Sequence, residues 1–105
     1  MNRLQQLLEM FEQDPQDSFV HYALAKEYEY EGREEEAIES FLVLKENNPE
    51  YIGLYYHLGK LYEKNGHTLD ALETYELGIQ MARAIKDIHA LGELQTAKTN
   101  LELGV

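Results

Sequence analysis

The chain has 105 residues, the length of one domain, with 44% hydrophobic residues, two prolines and no cysteine. The lack of cysteine excludes a disulfide scaffold and any thiolate metal or redox site, and it fits a reducing compartment. Twenty acidic residues against nine basic give a formal charge of −11, a field that opposes phosphate backbones and anionic membrane surfaces, so no nucleic-acid or membrane partner is expected.

A basic or mixed-charge protein surface would instead be steered in. No run approaches the ~20 apolar residues of a membrane span. The first stretch, MNRLQQLLEMFEQD, has no apolar core of signal-peptide length, so a cytoplasmic location is expected.

Taken in chain order, the apolar spacing is helical throughout. Leu4, Leu7, Leu8 and Phe11 fall at i, i+3, i+4, i+7 and predict one inward face of a first helix within 1–14. Asp14 before Pro15 breaks it, and Asp17 or Ser18 can cap the next helix. This second helix is predicted over about 19–31, with Val20, Ala23, Leu24 and Tyr28 inward and Gly32 as its left-handed stop. A third opens at REEEA, where Glu34, Glu35 and Glu36 suit the positive end of a helix. It buries Ala37, Ile38, Phe41 and Leu44 and ends before Pro49.

The same order then recurs. A fourth helix over 52–64 turns Leu54, Tyr55, Leu58 and Tyr62 inward and stops at Asn65-Gly66. A fifth starts at Thr68 or Asp70, with Ala71, Leu72, Tyr75, Ile79 and Ala82 inward. A sixth, over about 87–103, carries an inner stripe of Ile88, Leu91, Leu94, Ala97 and Leu101. No strand is predicted, because no run alternates apolar and polar for more than a few residues.

Residues 18–51 laid on 52–85 give eight identities: Tyr22/Tyr56, Leu24/Leu58, Lys26/Lys60, Tyr28/Tyr62, Glu29/Glu63, Gly32/Gly66, Ala37/Ala71 and Glu39/Glu73. Similar pairs are Ala25/Gly59, Ile38/Leu72 and Phe41/Tyr75. Small residues at Ala25 and Gly59 let antiparallel helices approach, and large ones beside them fill the remaining space. A fixed period of this size signals a stacked architecture.

The run Leu24-Ala25, Tyr28, Gly32, Ala37, Phe41, Pro49, repeated as Leu58-Gly59, Tyr62, Gly66, Ala71 and Tyr75, resembles the 34-residue motif of the tetratricopeptide-repeat family. The resemblance implies an all-α fold, a right-handed superhelical stack of about six antiparallel helices forming one domain over 1–105. Residues 1–14 would be an N-terminal half-repeat, 18–51 and 52–85 two repeats, and 87–103 a capping helix. Three departures stand out. His21 and Tyr55 occupy a slot where the family has a large aromatic. Leu44 stands where a small residue is usual. Arg83 replaces the closing proline, so the fifth helix should run on to about residues 84–86.

No catalytic set is visible. His21, His57, His67 and His89 never pair at i, i+4, so no helix offers two imidazole ligands. His21 is read as a packed side chain and His67 as a solvated one. There is no phosphate loop, and consecutive glutamates at 34–36 point in different directions. No enzyme activity, metal or cofactor is expected.

The resemblance implies that first helices line a concave groove. It places Phe19, Tyr22, Lys26, Glu29 and Tyr30 there from the first repeat, and Gly53, Tyr56, Lys60, Glu63 and Lys64 from the second. His89 and Glu93 would be added from the last helix. The expected peptide-binding set is Phe19, Tyr22, Lys26, Tyr30, Tyr56, Lys60 and Lys64. Tyrosines would grip apolar side chains, and lysines would hold carboxylates or carbonyls. Some family members clamp a chaperone's terminal carboxylate with Lys and Asn. Tyr22, Lys26, Ala23 and His57 stand at those slots, so that clamp is not expected. The function implied is a protein- or peptide-binding scaffold. The competing expectation is a self-associating structural homo-oligomer with an idle groove.

Overall fold

The computed structural model describes residues 2–105 and contains six helices: α1 (Arg3–Gln13), α2 (Ser18–Tyr30), α3 (Glu34–Asn47), α4 (Gly53–Lys64), α5 (Thr68–Ile85) and α6 (Ile88–Leu103). No strand occurs among the described residues, so the fold class is all-α. The chain forms two compact units, one ending at Tyr51 and one spanning Ile52–Val105.

In the first unit, local chemistry sets each helix boundary. Asn2 Oδ1 accepts the Gln5 N–H at 2.8 Å while Gln5 reaches back to the Asn2 amide, a reciprocal cap that the apolar pattern did not reveal. Asp17 caps α2 by accepting from Phe19 and Val20 N–H groups. Gly32, at φ 78°, reverses the chain, and the Arg33 N–H bonds to the Tyr28 carbonyl at 2.8 Å. Gly66 does the same at φ 77°, with His67 bonded to Tyr62. Only glycine takes this conformation without strain, which is why it recurs there. α3 has no side-chain cap. Its three first-turn glutamates complement the helix dipole instead.

Leu4 and Leu7 of α1 pack with Val20 and Leu24 of α2, and Phe11, Ala23 and Tyr28 lie partly buried around them. Leu8, expected inward, is instead exposed, because α1 has a packing partner on one side only. His21 is buried, and its Nε2 donates to the Pro15 carbonyl at 2.6 Å with the ring edge-on to Phe11. A carbonyl only accepts, so the proton sits on Nε2. Asn48 donates to Ser18 Oγ at 3.3 Å and ties the open end of the α2–α3 hairpin.

In the second unit α4 and α5 meet closely at two glycines. A Cβ on Gly59 would fall inside the Tyr75 ring, against its Cε1, and one on Gly78 would lie 2.6 Å from Cβ of Tyr55. Gly78 is the repeat equivalent of Leu44. The two repeats thus solve one packing problem in opposite ways. Where the second sets Tyr55 against a glycine, the first has a smaller ring, His21, and a larger aliphatic, Leu44, at the equivalent positions, and all four are buried. α5 runs on to Ile85, past the register of the missing proline, and Lys86 turns the chain at φ 62°.

α6 joins through Leu94 and Ala97, both buried, and through Lys98 Nζ on Glu76 Oε1 at 2.8 Å. Ile88, expected on the inner stripe, is 82% exposed. The run ALGEL (90–94) of α6 repeats HLGKL (57–61) of α4, so Ile88 stands in the register of Tyr55, on the side of α6 that no other described helix covers.

Gly59 and Gly92 hold equivalent places on α4 and α6, yet a Cβ on Gly92 would meet nothing within 4 Å. Gly59→Ala should therefore destabilise the protein by about 1–3 kcal/mol through overpacking. Gly92→Ala should stabilise it by up to about 1 kcal/mol through helix propensity. Urea denaturation of both variants checks the pair. A stability gain for Gly59→Ala would contradict the close approach.

Candidate functional site

The expected site residues divide between the two units. On α2, Tyr22 is half-buried, its ring 5.1 Å from Tyr51 and 6.1 Å from Phe41. It is therefore partly a packing residue, and the Tyr51 contact was not foreseen. Burial, then the neighbouring Tyr51 and Glu29, raise its pKa above the ordinary tyrosine value. Lys26 lies one turn further along the same face and is half-buried. Phe19, one turn before Tyr22, and Tyr30, one turn after Lys26, share this side of α2 and are more exposed, Tyr30 almost completely at the helix end.

On α4 the corresponding residues open onto a cavity. Tyr56 and Lys60 form one wall of a space of about 560 Å³, and His89, Glu93, Thr96 and Asn100 of α6 form the other. Lys64 is exposed on the last turn of α4 and does not line this space. His89 and Glu93 fall where the repeat register puts them. Thr96 and Asn100, on the helix expected as a cap, line the cavity too.

A chain of contacts runs from the core of this unit to that wall. Tyr75 is fully buried and donates its hydroxyl to the Glu63 carboxylate in a short hydrogen bond. Glu63 lies 3.6 Å from Lys60 Nζ, which sits 5.6 Å above the Tyr56 ring. Lys60 is thus held by a carboxylate and an aromatic face, while its side chain is 42% exposed. Exposed ion pairs contribute about 0–1 kcal/mol, so a ligand carboxylate or carbonyl can displace Glu63 at small cost. Phe41 stands in the Tyr75 register in the first repeat. It has no hydroxyl, so this relay has no counterpart there. The sequence signal was the Phe41/Tyr75 difference opposite the shared Glu29/Glu63.

The cavity wall offers apolar faces, one exchangeable ammonium, amide and hydroxyl groups, and the His89 imidazole with its Nε2 3.6 Å from the Glu93 carboxylate. Among the described residues no three His, Cys, Asp or Glu side chains are grouped to hold a metal ion. No described helix is long and apolar enough to cross a membrane.

A profile described as the tetratricopeptide repeat matches residues 20–51 and again 52–85. The chain belongs to the tetratricopeptide-repeat family. A tetratricopeptide-repeat domain protein from Salinibacter ruber, solved in solution, is 46% identical, with a TM-score of 0.81 over 85% of this chain and 90% of that one. A protein from Bordetella parapertussis, 21% identical, superposes with a TM-score of 0.86 over 99% of this chain and 90% of its own. The TPR2B domain of yeast Sti1, in its pHsp70 complex, is 16% identical and superposes with a TM-score of 0.88 over 97% of this chain and 82% of its own. The latter two likenesses speak for the fold alone. A search of curated proteins gives no match. Tetratricopeptide repeats are protein-interaction and scaffold elements and are generally non-catalytic.

Desolvation, and then the Glu63 hydrogen bond, push the Tyr75 hydroxyl far above the ordinary tyrosine value of 10.0. A folded pKa raised this way gives stability that is complete below the unfolded value and is lost as pH rises past it. In a titration of tyrosinate absorbance, Tyr75 should stay unionised until the alkaline unfolding transition. Tyr75→Phe should cost about 1 kcal/mol at neutral pH and flatten the alkaline loss of stability. Eight tyrosines ionising together near the ordinary value in folded protein would contradict this.

Proposed function

We propose that the protein is a non-catalytic interaction module that binds a peptide or helix of a partner protein through the tyrosine–lysine faces of α2 and α4. The observation that carries this reading is the placement of Tyr56 and Lys60 on a cavity wall opposite Thr96 and Asn100 of α6. The same Tyr–Lys pair recurs on α2 as Tyr22 and Lys26, 34 residues earlier. Tyr56 supplies a flat apolar surface with little entropy to lose on binding. Lys60, Asn100 and Thr96 supply donors for a backbone or carboxylate. Phe19, Tyr30 and Lys64 are assigned supporting contacts at the edges. The binding of pHsp70 by the Sti1 domain of like fold supports peptide capture as the class of function, whereas the residues at Tyr22, Ala23, Lys26 and His57 argue for a different partner. The chain's charge of −11 favours one that is neutral or basic overall.

An interface of this size suits about micromolar affinity. The test is affinity capture from the source organism's lysate with wild type and a Tyr22→Ala, Lys26→Glu, Tyr56→Ala, Lys60→Glu variant of matched helix content. Tyr22 also packs internally, so the Tyr56→Ala single variant is the cleaner measure. It should weaken a captured partner by about 5- to 30-fold. Equal retention by wild type and the quadruple variant would place binding on another face. No retention by either, with a mass that rises with concentration in light scattering, would favour self-association.

A further inference from the structure

α6 reproduces the surface on which α4 receives its second helix, and no described part of the chain covers it. The residues of α4 under α5 include Tyr55, Leu58, Gly59 and Tyr62. The match of HLGKL with ALGEL sets Ile88, Leu91, Gly92 and Gln95 in their places. Their environments differ sharply. Tyr55 is 2% exposed and Ile88 82%. Gly59 lies against the Tyr75 ring, whereas the space above Gly92 is empty to 4 Å. A mid-helix glycine is less favourable than alanine. At Gly59 the ring above it accounts for that cost; at Gly92 nothing in the chain does. Next to this face is a hollow of about 310 Å³ lined by Ala82, Arg83, Lys86, Asp87, Ile88 and Leu91, in which two cations outnumber the Asp87 carboxylate; Asp87 itself accepts the Ala90 N–H as the cap of α6.

We infer that this face of α6 docks an amphipathic helix of a partner protein, with a large apolar or aromatic residue over Gly92 and carboxylates at its C-terminal end. The orientation follows from α5, which runs antiparallel to α4 with Tyr75 over Gly59 and Gly78 over Tyr55. A helix laid likewise on α6 brings its C-terminal end to Arg83 and Lys86. Arg83 acts on the Glu76 carboxylate only at longer range, and Lys98 holds that carboxylate at 2.8 Å. Neither Arg83 nor Lys86 makes an ion pair among the described residues. The negative end of the incoming helix dipole and any terminal carboxylates complement them. A second copy offers no such helix. Its α3 and α5 bury Phe41 and Tyr75 within their own hairpins, and its α1 already buries Leu7, the residue in the same register. The inference is independent of the Tyr56–Lys60 reading, although Ile88 and Gly92 also border that cavity.

The probe is a fluorescein-labelled synthetic peptide of the α5 sequence, residues 68–85, carrying Arg83→Glu. Its binding is read by anisotropy and by amide NMR shifts of the full chain. Saturable binding is expected, with the largest shifts at Leu91, Gly92 and Gln95. In the protein, Gly92→Leu adds a side chain into open space, so the melting midpoint should hold while the dissociation constant rises at least about tenfold. Arg83→Glu in the protein should weaken binding about threefold at low salt, an effect lost at high salt. No saturable binding at millimolar peptide would overturn the inference. So would undiminished affinity in Gly92→Leu, shifts centred on Tyr55 and Gly59 from displacement of α5, or loss in Tyr56→Ala with normal binding by Gly92→Leu. A concentration-dependent dimer that excludes the peptide would overturn it in favour of a second copy.

Discussion

The contact of the Tyr75 ring with the α4 backbone at Gly59 is the constraint on which the second unit depends. A methyl group at residue 59 would fall inside the ring. With a tyrosine at residue 75, a side chain at residue 59 would force the ring or α5 to shift, and Gly78 against Tyr55 fixes the hairpin one turn further on. The same ring carries a hydroxyl that ends on Glu63, and Glu63 faces Lys60. One side chain thus sets both the helix spacing and the position of the cation beside Tyr56. Core packing and the candidate surface are not separable here, and a variant at residue 75 reads out both.

The first unit reaches the same hairpin by another route. Ala25 replaces Gly59 and Phe41 replaces Tyr75, and both are completely buried. Leu44, fully buried, stands in the register of Gly78, and His21, in that of Tyr55, is held by the Pro15 carbonyl. Dense interiors tolerate such exchanges when the summed volume is kept. The exchange has a consequence at the surface. With no hydroxyl at Phe41, Glu29 lacks the tyrosine donor that Glu63 has in Tyr75, although the two glutamates share a register.

Much of this was legible in the sequence, because the signals were local or periodic. The order and approximate limits of the helices followed from apolar spacing, Gly32, Gly66 and Pro15. The all-α class and the family followed from the repeat. What the pattern could not give was which side of an amphipathic helix meets another helix. Leu8 and Ile88 sit on apolar stripes yet face solvent, because periodicity records a face and not the presence of a neighbour. Of the candidate site, the Tyr–Lys pairs were legible from their recurrence at one spacing. The Tyr22–Tyr51 contact and the roles of Thr96 and Asn100 were not, since each depends on where helices distant in sequence come to lie.

The charge of the chain bears on what either proposed surface can take. Of nine basic residues, Arg33, Lys60 and Lys98 are committed to Glu36, Glu63 and Glu76. At long range the field is that of an acidic body, and it draws in partners that are neutral or basic as a whole. Within a Debye length of about 8–10 Å the nearest groups decide instead. There Lys60 can exchange Glu63 for another carboxylate, and Arg83 and Lys86 make no ion pair among the described residues, Glu76 being held by Lys98 and felt by Arg83 only at longer range. A partner that satisfies both ranges carries its carboxylates locally, at a helix end or chain end, on an otherwise uncharged or basic surface. This combination is restrictive, and it selects against a second copy of this chain, whose net charge repels its own kind at the distances where encounter begins.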